Sequence, residues 1–203
     1  MPSRGRPREF ERDVALAQAM DVFWQRGYQD ASVAALTTAM GIRSPSLYAA
    51  FGSKADLFCE VAKAYEAGPG GAPYEALDKG ATGRRSVEAL LRGNAELFTR
   101  RAGPKGCLLT RAVATCSPDE TEVAEYLQQS LKNRVAAVRA RLQRASDENE
   151  RLPGAERDLA EFFDSVIQGM AVRAIEGASR AALYRTVDLA MSVWPTDDEQ
   201  LAE

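Results

Sequence analysis

Apolar residues recur at every third and fourth position through most of this chain, a spacing that aligns one face of an α-helix, so the sequence predicts one helix after another. Val14, Ala15, Ala19, Val22, Phe23 and Trp24 place a first helix over about residues 12–26. Val33, Leu36 and Met40 mark a short second helix, Leu47, Ala50 and Phe51 the inward face of a third, and Leu57, Phe58, Val61, Ala62 and Tyr65 a fourth. Residues 68–83, with Pro73 and Gly80, form a linker that has room for a turn around Tyr74 to Lys79. Beyond it the spacing predicts helices over 86–101 and 105–115, and then a long one from Pro118 carrying Val123, Leu127, Leu131, Val135, Val138 and Leu142. After a polar loop over 147–154, a wide apolar stripe runs through Leu159, Phe162, Phe163, Val166, Ile167, Met170, Ala171, Ala174 and Ile175, and Leu183, Val187, Ala190 and Met191 mark a final helix ending near Trp194. The fold class is all-α.

The punctuation between the second and fourth helices is the most specific feature. Ser32 is placed to cap a helix that ends at Gly41, where a glycine can take the left-handed exit conformation, and Ile42 can plug the corner. Ser44 then reads as a cap with Pro45 at the first helical position, and Ser53-Lys54-Ala55-Asp56 as a capping box opening the fourth helix. The third helix is about two turns long and turns Ser44, Ser46, Tyr48 and Ala49 outward. That is the build of a helix-turn-helix, whose second helix fits a major groove. A generic helical hairpin does not require the glycine corner, the Ser-Pro start, an outward tyrosine and a capping box together in so few residues.

The stretch GIRSPSLYAAFGSKADLF, 41–58, resembles the DNA-binding region of the tetracycline-repressor (TetR) family of bacterial transcription regulators, closely over the first third of the chain and in size and helical layout beyond it. The resemblance implies phosphate contacts at Ser32, Tyr48 and Lys54, groups able to donate a hydrogen bond or supply a point charge. It implies base reading by Arg43, Ser44, Pro45, Ser46 and Ala49. The chain departs from the commoner family pattern at Ala49 and Ala50, which offer no hydrogen bonds, so direct readout is expected to be thin. Arg4, Arg6 and Arg8 form an arm without acids that could follow the backbone or enter the minor groove, or be only a solvated basic terminus.

The same resemblance implies a reader over residues 1–60, an effector-binding and dimerisation region over 61–195, and an acidic tail over 196–203. The last two long helices are expected to pair between subunits through Phe163, Ile167, Ala171, Ala174, Val187 and Met191, against the alternative that this stripe is internal core. A cavity among the middle helices is expected to take a small-molecule effector. Phe98, Cys107, Tyr126, Phe162 and Met170 are candidates to line it, although apolar residues at helical spacing are as readily core. No polar cluster in the sequence names the ligand.

Charge and composition narrow the function. The formal net charge is −3, but Asp197, Asp198, Glu199 and Glu203 follow Trp194, and without those four acids it becomes +1. Local charge governs contact with phosphate, so the acidic total does not exclude double-stranded DNA as the partner. The chain has no histidine, which removes Ser-His-Asp and Cys-His catalysis, and three scattered cysteines cannot make a four-thiolate zinc site. Gly68-Pro69-Gly70-Gly71 lacks the strand before and the Lys-Ser or Lys-Thr after that a phosphate loop needs. No metal, cofactor or enzymatic role is therefore expected. A start without a leader-like apolar segment, and no bilayer-length apolar run, suit a cytoplasmic protein that avoids membranes.

Cys107 carries the competing reading, a thiol-based sensor or enzyme. It sits where a helix is predicted to begin, close in sequence to Arg100, Arg101 and Lys105, a setting that favours thiolate. The bland alternative is a buried, inert cysteine. A bridge to Cys116 is not expected, since nine helical positions separate their Cα atoms by about 13 Å.

Overall fold

A computed structural model of the chain describes residues 8–117 and 119–194, with side chains from residue 12 onward, and every regular element among them is a helix. The first helix, α1, spans Arg8–Asp30, four residues longer at each end than its apolar spacing predicts. It runs through Gly27, whose backbone (φ 79°, ψ −178°) is not helical. The resulting kink aims the last turn inward, so that Tyr28 meets Phe58 with ring centroids 5.2 Å apart. Val14, expected on the apolar face, is 43% exposed, while Ala15, Ala19, Phe23 and Trp24 are buried.

The next helix, α2 (Val33–Met40), is capped as expected: Ser32 Oγ accepts from the Ala35 N–H at 3.1 Å, and Gly41, at φ 64°, closes the helix. α3 spans Ser44–Phe51, but Arg43 with its extended backbone is its N-cap and makes no side-chain cap bond, so Ser44 already lies in the first turn. Leu47 and Phe51 are buried and Ala50 is exposed, which corrects the expectation that Ala50 faces inward. α4 (Lys54–Ala67) begins with the full capping box, Ser53 Oγ accepting from the Asp56 N–H at 2.9 Å and Asp56 accepting from the Ser53 N–H at 2.7 Å. The boundary expected at residue 60 thus falls inside an unbroken helix.

The expected linker holds a 3-10 turn, Ala72–Glu75, and a short helix, α5 (Ala76–Lys79), anchored by buried Pro73 and Leu77. α6 covers Gly83–Phe98 and α7 Leu108–Thr115. The long α8, Thr121–Asp147, starts later than its Ser117-Pro118-Glu120 signal suggests. Glu120 stands at its N-cap without a side-chain cap bond and accepts instead from the Tyr28 hydroxyl at 3.0 Å, while Ser117 Oγ accepts from the Asp119 N–H at 3.4 Å. α9 (Glu156–Ile175) and α10 (Arg180–Met191) complete the chain, the second capped by Ser179.

One continuous apolar core joins the helices. The wide stripe of α9 goes into it: Phe163, Ile167 and Ala171 are 0% exposed and Ala174 is 2%, and across from them on α10 Val187 is 0% and Met191 is 5% exposed. These residues were expected to form the subunit interface. They pack within one chain instead, because α9 and α10 both lie on α6 and need an apolar face of their own to do so. The large apolar residues left outside are Phe162 and Val172 on α9, Leu189 on α10 and Val193 just past it, at 39%, 45%, 74% and 43% exposure.

Candidate nucleic-acid interface

The reader is held from behind by aromatic packing. Phe23 of α1 meets Phe58 of α4 edge-on at 5.2 Å, and buried Leu36, Met40, Leu47 and Phe51 fill the angle between α2 and α3. Arg12 ties α1 to α4 through Glu60 at 2.7 Å and lies over the Phe51 ring at the end of α3, its carbon 4.6 Å from the centroid. With its inner face fixed in this way, α3 presents Ser44, Pro45, Ser46, Tyr48 and Ala49 outward, Tyr48 being 52% exposed, and Arg43 and Ser32 are exposed beside it. The first turns of α2 and α4 each carry backbone N–H groups without an intrahelical acceptor, as anion sites require.

Lys54 is placed less simply. Its ammonium donates to the Gln29 carbonyl at 3.2 Å and sits 4.4 Å from the centre of the Tyr28 ring, and partial burial lowers its pKa, with Glu120 and Asp30 acting in the opposite sense. It therefore joins α4 to the end of α1 and must turn outward to reach a phosphate. Asp56, in the capping box, is held below the usual carboxylate range by the Ser53 N–H and hydroxyl. Arg4 and Arg6 lie outside the described residues, and Arg8 opens α1 with its side chain outside them, as does the acidic tail.

Behind the reader, between α4, α6 and α8, is a cavity of about 200 Å³. Its polar lining includes Tyr65 and Glu66 of α4, Tyr74, Asn94 of α6, Cys107, and Ser130, Asn133 and Arg134 of α8. Of the residues expected to line a cavity, only Cys107 does so. Phe98 and Met170 are 1% exposed and belong to the core, Phe162 points to the outside of α9, and Tyr126 stands next to the cavity, its hydroxyl donating to Glu66. Burial, together with that carboxylate, raises the Tyr126 pKa. Glu66 also accepts from Ser130, so the end of α4 is clamped to α8 at two points. Tyr74 accepts from Arg134 Nε at 2.8 Å, and burial pushes its pKa up to about 12. The sequence did contain a sign of this site: Asn94 falls on the apolar face of α6 between Leu90, Leu91 and Phe98, and a buried amide there needs polar neighbours.

The cavity and the reader share walls. Trp24 packs edge-on to Tyr65 at 4.7 Å, and its indole N–H donates to the Gly106 carbonyl at 3.0 Å. Four residues on, the Tyr28 N–H donates to Thr115 Oγ1 at 3.1 Å, so α1 is fastened near both ends of α7. Among the described residues, no helix is long and apolar enough to cross a membrane.

Comparison with known proteins agrees with this geometry. Residues 15–61 match the family model described as bacterial regulatory proteins, tetR family. The chain is 35% identical over 198 residues to the HTH-type transcriptional repressor ComR of Escherichia coli (strain K12), covering 95% of this chain and 93% of the relative. It is 31% identical to the HTH-type transcriptional repressor BdcR of the same organism, covering 92% and 90%. Among solved structures, a cysteine mutant of the TetR family transcriptional regulator CifR, complexed with 26-bp double-strand operator DNA, superposes with a TM-score of 0.87 at 40% identity, covering 94% of this chain and 100% of that one.

Proposed function

This chain belongs to the tetR family of bacterial regulatory proteins and is a DNA-binding transcriptional regulator, and on that premise we propose that it is a cytoplasmic homodimeric repressor released from its operator when a small molecule enters the cavity behind the reader. The observation that carries this reading is α3 itself. Its inner face is locked by Leu47 and Phe51 while its whole outer face is left to polar and small residues. In this reading Ser32, Tyr48 and Lys54 hold phosphates, with the Arg4, Arg6 and Arg8 arm adding charge. Arg43, Ser44, Pro45, Ser46 and Ala49 face the bases, and Arg43 has the side chain that suits guanine.

Residues 1–60 read DNA and 61–195 regulate and dimerise, α4 serving both, with 196–203 an acidic tail. The subunits meet through the apolar residues that α9 and α10 leave exposed, Phe162, Val172, Leu189 and Val193, and not through the buried stripe. A two-fold dimer joined there sets two readers on successive turns of one duplex, about 34–36 Å apart. Selection of bound duplexes from a random pool tests the reading. An enriched inverted repeat is the expected result; enrichment of a single unrepeated site, or of none, would contradict it.

A further inference from the structure

Along the edge of α3 nearest α1 the reader has a groove of about 550 Å³. Ser46, Ala49 and Ala50 stand at positions i, i+3 and i+4, one strip of the helix, and form one wall. Ala15 of α1, Ile42 of the corner before α3, and Phe51 complete the lining. Ala15 and Phe51 are buried, whereas Ser46, Ala49 and Ala50 are exposed, so the groove opens on the same side as the outer face of α3. Arg12, the cation in its wall, is committed elsewhere. Its guanidinium is bound to Glu60 at 2.7 Å, lies over the Phe51 ring, and donates to the Ala50 carbonyl at 3.5 Å. With its charge matched by Glu60, Arg12 ties α1 to α3 and holds the two walls together.

The occupant follows from the chemistry of the lining. Alanine and isoleucine side chains and an aromatic ring reward the burial of apolar surface and form no hydrogen bonds. Of the base edges that a major groove displays, thymine alone carries an apolar group, its C5-methyl; the others present donors and acceptors only. A methyl is small enough to sit between side chains as short as alanine, and this strip is continuous with the face of α3 turned towards DNA. Ser46, on the same strip, has a hydroxyl that can donate to O4 of that base. A phosphate is a poorer occupant, because an anion here would have to take Arg12 from Glu60.

We propose that this groove reads a pyrimidine methyl: it takes the C5-methyl of one thymine in each operator half-site against Ala49 and Ala50, and so sets base preference where these alanines supply no hydrogen bond. The inference rests on the reading of α3 as the base-reading helix. Burying one methyl is worth about fourfold in affinity, and the two half-sites of a dimer together about fifteenfold. The methyl of 5-methylcytosine has the same chemistry, so methylation of a cytosine at that position strengthens binding.

The selected duplex, remade with deoxyuridine for thymine at one position of both half-sites at a time, is the probe, since uracil lacks only the methyl. At one position per half-site the affinity should fall about fifteenfold, and 5-methylcytosine should bind more tightly than cytosine there by the same factor. In Ala50→Gln, which fills the groove from an exposed position, the ratio of thymine to uracil affinity should fall to about one, and Ala49→Gln is a second variant of the same kind. Tyr48→Phe should weaken both duplexes alike and keep the ratio. Equal affinity for thymine and uracil at every position would overturn the proposal. So would a ratio lost in Pro45→Ala and kept in Ala50→Gln, which would put the methyl against Pro45. A gain with 5-methylcytosine but no loss with uracil would assign the groove to modified DNA and overturn the thymine. An enriched inverted repeat without a uracil effect removes the groove alone, whereas failure to enrich any duplex removes the reading of α3 with it.

Discussion

The outer face of α3 and the outer face of the α9–α10 pair are both left uncovered by the chain's own packing, yet their chemistry is opposite. The first is serine, proline, alanine and one tyrosine; the second sets the large apolar side chains Phe162, Val172 and Leu189, with Val193 just past α10, among exposed charged and polar residues such as Glu161, Arg173 and Asp188. A polar face of short side chains gains nothing from leaving water except where a charged partner supplies bonds, whereas an apolar face of this kind gains by covering itself. The difference separates two partners on one molecule, a phosphate-rich duplex and a second copy of the chain. It also shows why the widest apolar stripe is a poor guide to an interface: the stripe of α9 is deepest where it serves the chain's own core.

The largest effects should come from charges placed on the two sides of α9 and α10. Phe162→Glu with Leu189→Glu should yield a folded monomer whose DNA affinity drops about 100-fold as the paired readers are lost, seen by sedimentation and titration of the selected duplex. Ile167→Arg should instead unfold the chain, since it buries an unpaired cation at a cost of about 3–5 kcal/mol, seen by thermal melting. If Ile167→Arg split a dimer of folded chains, the inner stripe would be the interface after all.

Next is the kink that aims the reader at the rest of the chain. At Gly27 a Cβ would lie 2.3 Å from Thr115 Oγ1, on a backbone with φ 79° that side chains avoid. Gly27→Ala should lower stability by about 3 kcal/mol, and adding Thr115→Ala should recover only part of it, because the clash goes and the strain stays. Equal stability of the double variant and the unaltered chain in denaturant titration would remove the strain argument.

On α3 the expected changes are smaller and differ in kind. Tyr48→Phe should weaken binding to all duplexes about fivefold, as loss of one phosphate hydrogen bond would. Lys54→Ala should lower the salt slope by about one. Arg43→Ala should relax base preference, so a variant selection experiment separates the roles; a Lys54→Ala protein with altered base preference and unaltered affinity would reverse the assignments.

The smallest effect concerns the capping box. Asp56 has its pKa lowered in the folded chain, so it adds stability above its ordinary value of 3.8, and this is lost as pH falls through the lower folded value. Asp56→Asn should therefore melt earlier at neutral pH and lose less on acidification than the unaltered chain. Parallel acid-induced melting curves would contradict this.

The reader was legible because its signals are local. Ser32, Gly41, Ser53 and Asp56 act on neighbours within a few residues, and the structure places each cap where the sequence puts it. The errors begin where a distant partner competes. Glu120, three residues after Ser117, has the spacing of a capping box, but Tyr28, from α1, takes its carboxylate. The α9 stripe was read as an interface because spacing shows that a face is apolar and not which helix covers it. The cavity residues Tyr65, Tyr74 and Arg134 come from three separate segments and share no spacing, so only the fold brings them to Cys107 and Asn94.

Sedimentation of the unaltered chain and of the Phe162→Glu/Leu189→Glu variant with the selected duplex tests the central claim most directly, since it reads both exposed faces at once. The account predicts that unaltered chains enter the complex only in pairs, and that the variant binds weakly and singly. A single unaltered chain held on the duplex at full affinity, or paired binding by the variant, would contradict it.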